Sequence, residues 1–175
     1  MDAFWLIKSR TANAWRWVAP SHEAQHENYA RKNSSLFWFN ELIGYTSLIP
    51  LAVPYRLLRA THMQHHSHTN DPIMDPDYLT KAKNFKNAIW INFFINTSGN
   101  NLYKDFVENL EDSQENKRTI FESLLTNISY WTILIIFVWL GFGLEVACIW
   151  WIPRLIALGY VRMTLSWAPH HPMEE

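Results

Sequence analysis

The 175-residue chain has one cysteine, Cys148, so it forms no internal disulfide and carries no cysteine pair for electron transfer. Cys148 lies in an apolar stretch and is expected to serve as a small buried hydrophobe. A basic excess is also missing: fifteen Lys and Arg stand against sixteen Asp and Glu, for a net charge of −1 and a pI near 6.7. Without that excess, and with no Lys- or Arg-rich run, a nucleic-acid surface is excluded. The first twenty residues, MDAFWLIKSRTANAWRWVAP, are interrupted by Lys8, Arg10 and Arg16 and read as neither a signal peptide nor a membrane span. There are no internal repeats and no low-complexity tracts. The length suits one domain and is short for two.

What is abundant is aromatic: ten Trp, ten Phe and seven Tyr, with the tryptophans beside apolar runs as at a membrane interface. A mean hydropathy of −0.16 is too low for a chain mostly immersed in lipid, so a part-membrane, part-aqueous protein is expected. Residues 124–144, LLTNISYWTILIIFVWLGFGL, carry no charge and match the roughly 20 residues that a helix needs to cross a bilayer. Residues 146–167 form a second predicted span, kinked at Pro153, with Arg154 and Arg162 facing protein or cofactor. An earlier apolar region, 36–58, contains Asn40, Glu41, Pro50 and Pro54 and predicts either a span or a broken interfacial or re-entrant segment. Residues 69–123 read as aqueous, and KNAIWINFFIN within them is too short for a span. Arg56, Arg59, Lys81, Lys83 and Lys86 predict that this face is cytoplasmic.

All eight histidines fall in short clusters: His22 and His26; His62, His65, His66 and His68; His170 and His171. Helical residues four apart lie about 40° from each other, so His22 and His26 share a face, and HMQHH turns His62, His65 and His66 to one side. Three imidazoles on one stripe repel when protonated and need polar partners when buried. A metal ion resolves both problems by taking neutral nitrogens as ligands. The metal candidates are therefore His22, His26, His62, His65 and His66, with His68, His170 and His171 as further candidates. Five or more imidazoles exceed the usual three protein ligands of a catalytic zinc and suffice for two metals, which in a membrane protein points to iron and dioxygen. The boxes must also meet on one side of the membrane. Residues 27–61 separate His26 from His62, too few for an out-and-back crossing of about 40 residues, so 36–58 is expected not to make a round trip.

With HEAQH as a first box, HMQHH as a second, TNDPIMDPDY after it, and a hairpin of spans leading to SWAPHHP, the chain resembles the membrane fatty acid desaturase superfamily. That superfamily includes fatty-acyl desaturases and carotenoid hydroxylases and ketolases. The resemblance implies an all-α integral membrane protein with a cytosolic histidine-box cap holding two non-haem irons. It also implies O₂ as co-substrate, a fatty-acyl or carotenoid lipid as substrate, and an external electron donor such as ferredoxin or cytochrome b5. The implied reaction is desaturation, or hydroxylation, of an unactivated C–H bond.

Within this frame the chain reads as one desaturase-like domain. An N-terminal segment, 1–17, precedes the first two boxes at 18–68, which enclose the interfacial or re-entrant segment. A cytosolic region at 69–123, the hairpin of spans and an end at 168–175 follow. The family pattern carries His or Gln three residues before its final His pair, whereas Trp167 stands there in this chain. The third box is accordingly expected further downstream and the chain is expected to be a truncated member with an incomplete metal site, possessing neither that box nor the spans usually found before the first one.

Two other classes compete. Read alone, HEAQH fits H-E-x-x-H of zinc metalloproteases, with Glu23 activating water, but such a site has no use for a second histidine box. A metal-transporting membrane protein would need ligands within its spans, and residues 124–167 contain no histidine.

Overall fold

The computed structural model describes residues 14–95 and 113–170; the N-terminal residues 1–13, residues 96–112 of the expected aqueous region, and 171–175 with His171 lie outside them. Among the described residues the fold is all-helical, without strands. Helix α1 spans Ala14–Gln25, α2 Phe37–Leu48 and α3 Tyr55–Ser67. The short α4, Phe85–Trp90, is started by Asn84, whose side chain accepts from the Asn87 N–H, and widens into a π-turn at Ile91–Ile95. Two long helices follow, α5 at Gln114–Trp139 and α6 at Gly143–Trp167.

The 36–58 region is interrupted. After α2 comes a tight turn at Ile49–Leu51, and Ala52 then takes a left-handed conformation (φ 48°) before Pro54 starts α3. Pro54 has no N–H, so the Pro50 carbonyl one turn back loses its helical partner. Helix α6 supplies donors at this break: Trp150 Nε1 donates to the Pro50 carbonyl at 2.7 Å, and Arg154 Nε donates to the Leu51 carbonyl. Arg154 also lies over the Tyr130 ring, 4.5 Å from its centre, so α5, α6 and the broken segment meet at one charge.

Helices α5 and α6 are the two described helices long and apolar enough to cross a membrane, each with a mean hydropathy of 1.5 in its most apolar window. Only 11% and 17% of those windows is buried. Trp131, Ile135 and Trp139 on α5 point outward, and apolar surface of this extent requires a lipid or protein partner. Helix α5 begins earlier than the apolar run alone suggests. Ser113 caps it by accepting from the Asn116 N–H, and the charged residues that follow are good helix formers. It ends before 144 because the chain reverses at Gly141, whose φ of 90° suits glycine. On α6 a π-turn at Ala147–Trp151 precedes Pro153, where the missing N–H leaves the regular ladder unfilled.

The core is small. Val18, Ala24, Leu48, Leu51, Tyr55 and Ala157 gather where α1, α2, α3 and α6 meet, and a second cluster of Ala82, Ala88, Met163 and Trp167 joins α4 to the end of α6. Residues 86–95 of the KNAIWINFFIN stretch thus pack on protein, and Arg162 Nη1 donates to the Asn92 carbonyl there at 3.1 Å, while Asn96 lies outside the described residues. Cys148 is half-buried rather than enclosed, because it sits in the π-turn of a helix with little protein around it.

Candidate metal centre

Helix α1 carries His22 on its last turn, His26 follows directly after its end, and α3 carries His62 and His66 on its own last turns. Three contacts bring these ends together. Asn40 on α2 donates to the Ala24 carbonyl at 2.7 Å, in the middle of the first box. Glu27, held left-handed at φ 60° directly after His26, accepts from Arg59 at 2.6 Å. Arg59 stands three residues before His62 and also donates to Glu41 at 3.2 Å, so one guanidinium ties both boxes to α2.

The result is a cluster of four imidazoles, one nitrogen each from His22, His26, His62 and His66, all within 4.8 Å of one another. Its centre is His62, whose Nε2 lies 3.0 Å from His26 Nε2 and 3.1 Å from His66 Nε2. Hydrogen bonding alone serves this arrangement poorly, because one ring nitrogen either donates one hydrogen or offers one lone pair. A cation accepts several lone pairs at once, so the donor set fits a metal. The spacing is informative as well. At a metal–nitrogen distance of about 2.1 Å, ligands at right angles stand ~3.0 Å apart and tetrahedral ligands ~3.4 Å apart. The two contacts of His62 lie in the range of ligand pairs that share a metal.

The protonation states are compatible with ligation. Burial, followed by the charges of His22 and His66, pushes His62 down to about 3. Burial first, then His22 and His66, also lowers His26. Both therefore hold neutral rings at neutral pH, the form that binds metal. Glu23 is exposed and turned to its neighbours: its carboxylate accepts from Asn28 Nδ2 at 2.6 Å and lies 3.2 Å from His22 Nδ1. Those two hydrogen bonds, Asn28 first, hold it below the ordinary carboxylate range.

The other candidates are placed differently. His65 is buried and set apart from the four, with Nδ1 2.7 Å from Asp75 Oδ1. His68 is exposed at the C-terminal end of α3, its Nδ1 3.3 Å from the Gln64 carbonyl. His170 closes a short turn, Ala168–His170, after α6. Sequence reasoning did not single out Asp75 or Glu122. The first had a signal, an acidic residue in the turn ten positions after His65. The second had none, since its partners Tyr45 and Arg56 are far away in sequence.

The family model for fatty acid desaturase matches residues 3–175. An sn-1 oleoyl-lipid 12-desaturase of a Picosynechococcus species is 38% identical over 73 residues, 42% of this chain and 19% of that protein. An sn-1 acyl-lipid omega-3 desaturase (ferredoxin) of a Nostoc species is 31% identical over 68 residues, 39% of this chain and 17% of that protein. Zeaxanthin 4-ketolase of Chlamydomonas reinhardtii is 28% identical over 108 residues, 52% of this chain and 23% of that protein. The matched stretches thus span no more than about a quarter of these relatives. No solved structure matches the chain significantly.

Proposed function

Because the chain belongs to the fatty acid desaturase family, we propose that it serves as a membrane oxidoreductase, holding non-haem iron in its histidine boxes and acting on a lipid chain. The observation that carries this reading is the convergence of four histidines, from the end of α1 and from α3, at one point. Family membership favours iron over zinc as the metal held there. Two irons are proposed, with His65 as a fifth imidazole beside the cluster. His68, His170 and His171 remain further candidates to complete the ligand set.

Bound there, non-haem iron supplies, with O₂ and two external electrons, the oxidising power to remove hydrogen from an unactivated C–H bond. The protein's own residues do the rest. Arg59, clamped by Glu27 and Glu41, fixes the two boxes at their separation. The outward apolar faces of α5 and α6 hold the chain in the bilayer, where an acyl substrate is dissolved. The positive charges of Arg56, Arg59 and the lysines at 81, 83 and 86 support a cytoplasmic side for the boxes. The domain divisions read from the sequence are retained in this proposal, with the helix bounds given above.

The acyl-lipid relatives make desaturation of a membrane acyl chain the leading reaction, with a ferredoxin as donor and cytochrome b5 as the other donor class. Similarity to a zeaxanthin ketolase makes a carotenoid the second substrate class. The test is to incubate the iron-loaded, detergent-purified chain with reduced ferredoxin and O₂, supplying either monounsaturated acyl lipid or zeaxanthin. Loss of two hydrogens from the acyl chain supports desaturation, and oxygen incorporation into zeaxanthin supports the carotenoid reaction. Hydrolysis of a peptide substrate with zinc bound, abolished by Glu23→Gln, would instead establish the protease reading.

A further inference from the structure

His65 is the box histidine that the four-imidazole cluster leaves aside, and its surroundings are built with care. It is 5% exposed, and its ring lies 5.7 Å from the His66 ring and 6.5 Å from the His62 ring, centre to centre. Its Nδ1 faces Asp75 Oδ1 at 2.7 Å. The Asp75 side chain, 2% exposed, also accepts from the backbone N–H of Asp77 (2.8 Å, to Oδ1) and of Asn70 (2.8 Å, to Oδ2). The TNDPIMDPDY turn thereby folds back on the end of α3. Asp71 accepts from the N–H groups of Ile73 and Met74, and Gln64 donates to the Met74 carbonyl. Asp77 is the other carboxylate near the ring, with Oδ2 4.0 Å from His65 Nδ1.

A carboxylate that receives backbone N–H groups on both oxygens is acceptor-only, so the hydrogen shared with His65 belongs on Nδ1. That choice leaves the lone pair on Nε2, the form in which imidazole ligates a metal through that nitrogen. Metal-bound histidines commonly have their orientation and tautomer set by such a partner.

We infer that Asp75 is a positioning residue that locks His65 in the Nδ1–H tautomer and so makes Nε2 its ligating nitrogen beside the four-histidine cluster. The ligand role rests on the iron-binding reading above; the tautomer lock does not. In this proposal Asp75 acts on the metal site through His65.

The test has two arms. In the metal-free, detergent-purified chain, ¹⁵N-resolved NMR of the imidazoles is expected to show His65 as the Nδ1–H tautomer, and Asp75→Asn to transfer a measurable fraction to Nε2–H. This reading in the unsubstituted chain stands even if the variant fails to fold. A His65 that is already Nε2–H, or whose tautomer is unchanged in folded Asp75→Asn, overturns the inference. In the second arm ferrous iron is titrated into each protein. Asp75→Asn is expected to weaken iron binding about 10–100-fold, and the Asp75→Asn/His65→Ala double variant to bind no more weakly than His65→Ala. A double variant weaker than His65→Ala would show that Asp75 acts independently of His65. An unsubstituted chain with the expected tautomer but no iron uptake overturns the oxidoreductase reading and the ligand role together, while leaving the lock.

Discussion

His26 Nε2 and His62 Nε2 lie 3.0 Å apart although 36 positions separate them in the chain. The contact joins the two boxes, and His62 also reaches His66, so His62 is the hinge of the cluster. His62→Ala is expected to reduce bound iron to a small fraction of the unsubstituted level. Asn127→Ala, an exposed position on α5 away from the histidines, is expected to leave it unchanged. Metal analysis of the three purified proteins checks both, and equal losses would contradict the assignment.

The metal-free protein is expected to lose stability in mild acid through the same residue. The folded His62 titrates at about 3 against an ordinary 6.5, so between those values the unfolded chain binds more protons than the folded one. Stability is thus full above about pH 6.5 and falls as the pH drops toward 3. Thermal unfolding followed by circular dichroism from pH 8 to pH 4 should show this slope, and His62→Gln should flatten it.

Glu122 joins α5 to the helix of the second box. Its carboxylate accepts from the Tyr45 hydroxyl at 2.7 Å and the Arg56 N–H at 2.9 Å, and pairs with the Arg56 guanidinium at 3.2 Å. The acceptor meets the first turn of α3, where helical N–H groups have no partner of their own and negative charge is favourable. Burial first, then the hydrogen bond to Glu122, raises the Tyr45 phenol far above its ordinary range, so it stays a donor. Glu122→Ala is expected to cost about 1–3 kcal/mol, or several degrees of unfolding midpoint. Glu122→Gln, which retains one acceptor, should cost less.

Gly44 is where α2 meets α3. A Cβ there would collide with the ring and hydroxyl of Tyr55, which is 1% exposed in the core. Gly44→Ala is therefore expected to cost about 1–3 kcal/mol by forcing the helices apart. The same change at Gly143, whose nearest neighbours are Val138 methyls at 3.8 and 3.9 Å, meets no such obstacle. Unfolding midpoints of the two variants measured side by side decide the point.

The two boxes were legible in the sequence because helical spacing alone puts His22 with His26 and His62 with His66. The departure of His65 was partly legible too: from His62 it lies about 60° around the helix in one direction, and His66 about 40° in the other. Calling all three one stripe concealed that difference. The break in 36–58 could be read from its prolines. What closes it could not, because Trp150 and Arg154 lie 100 and 103 residues from the carbonyls they satisfy. The start of α5 was missed for the opposite reason: hydropathy marks the membrane part of a helix and is blind to the capped, charged turns before it. Glu122 acts through contacts 66 and 77 residues away and gave no signal, whereas the nearby acidic turn pointed to Asp75 without identifying which carboxylate meets His65.

The most direct measurement is the metal content of the detergent-purified chain after growth with iron-57, combined with Mössbauer spectroscopy. About two irons per chain, coupled to each other and lost in His62→Ala, is the expected result. One tightly bound zinc per chain with no iron, or no metal after iron loading, would contradict the proposal that these histidines form an iron centre.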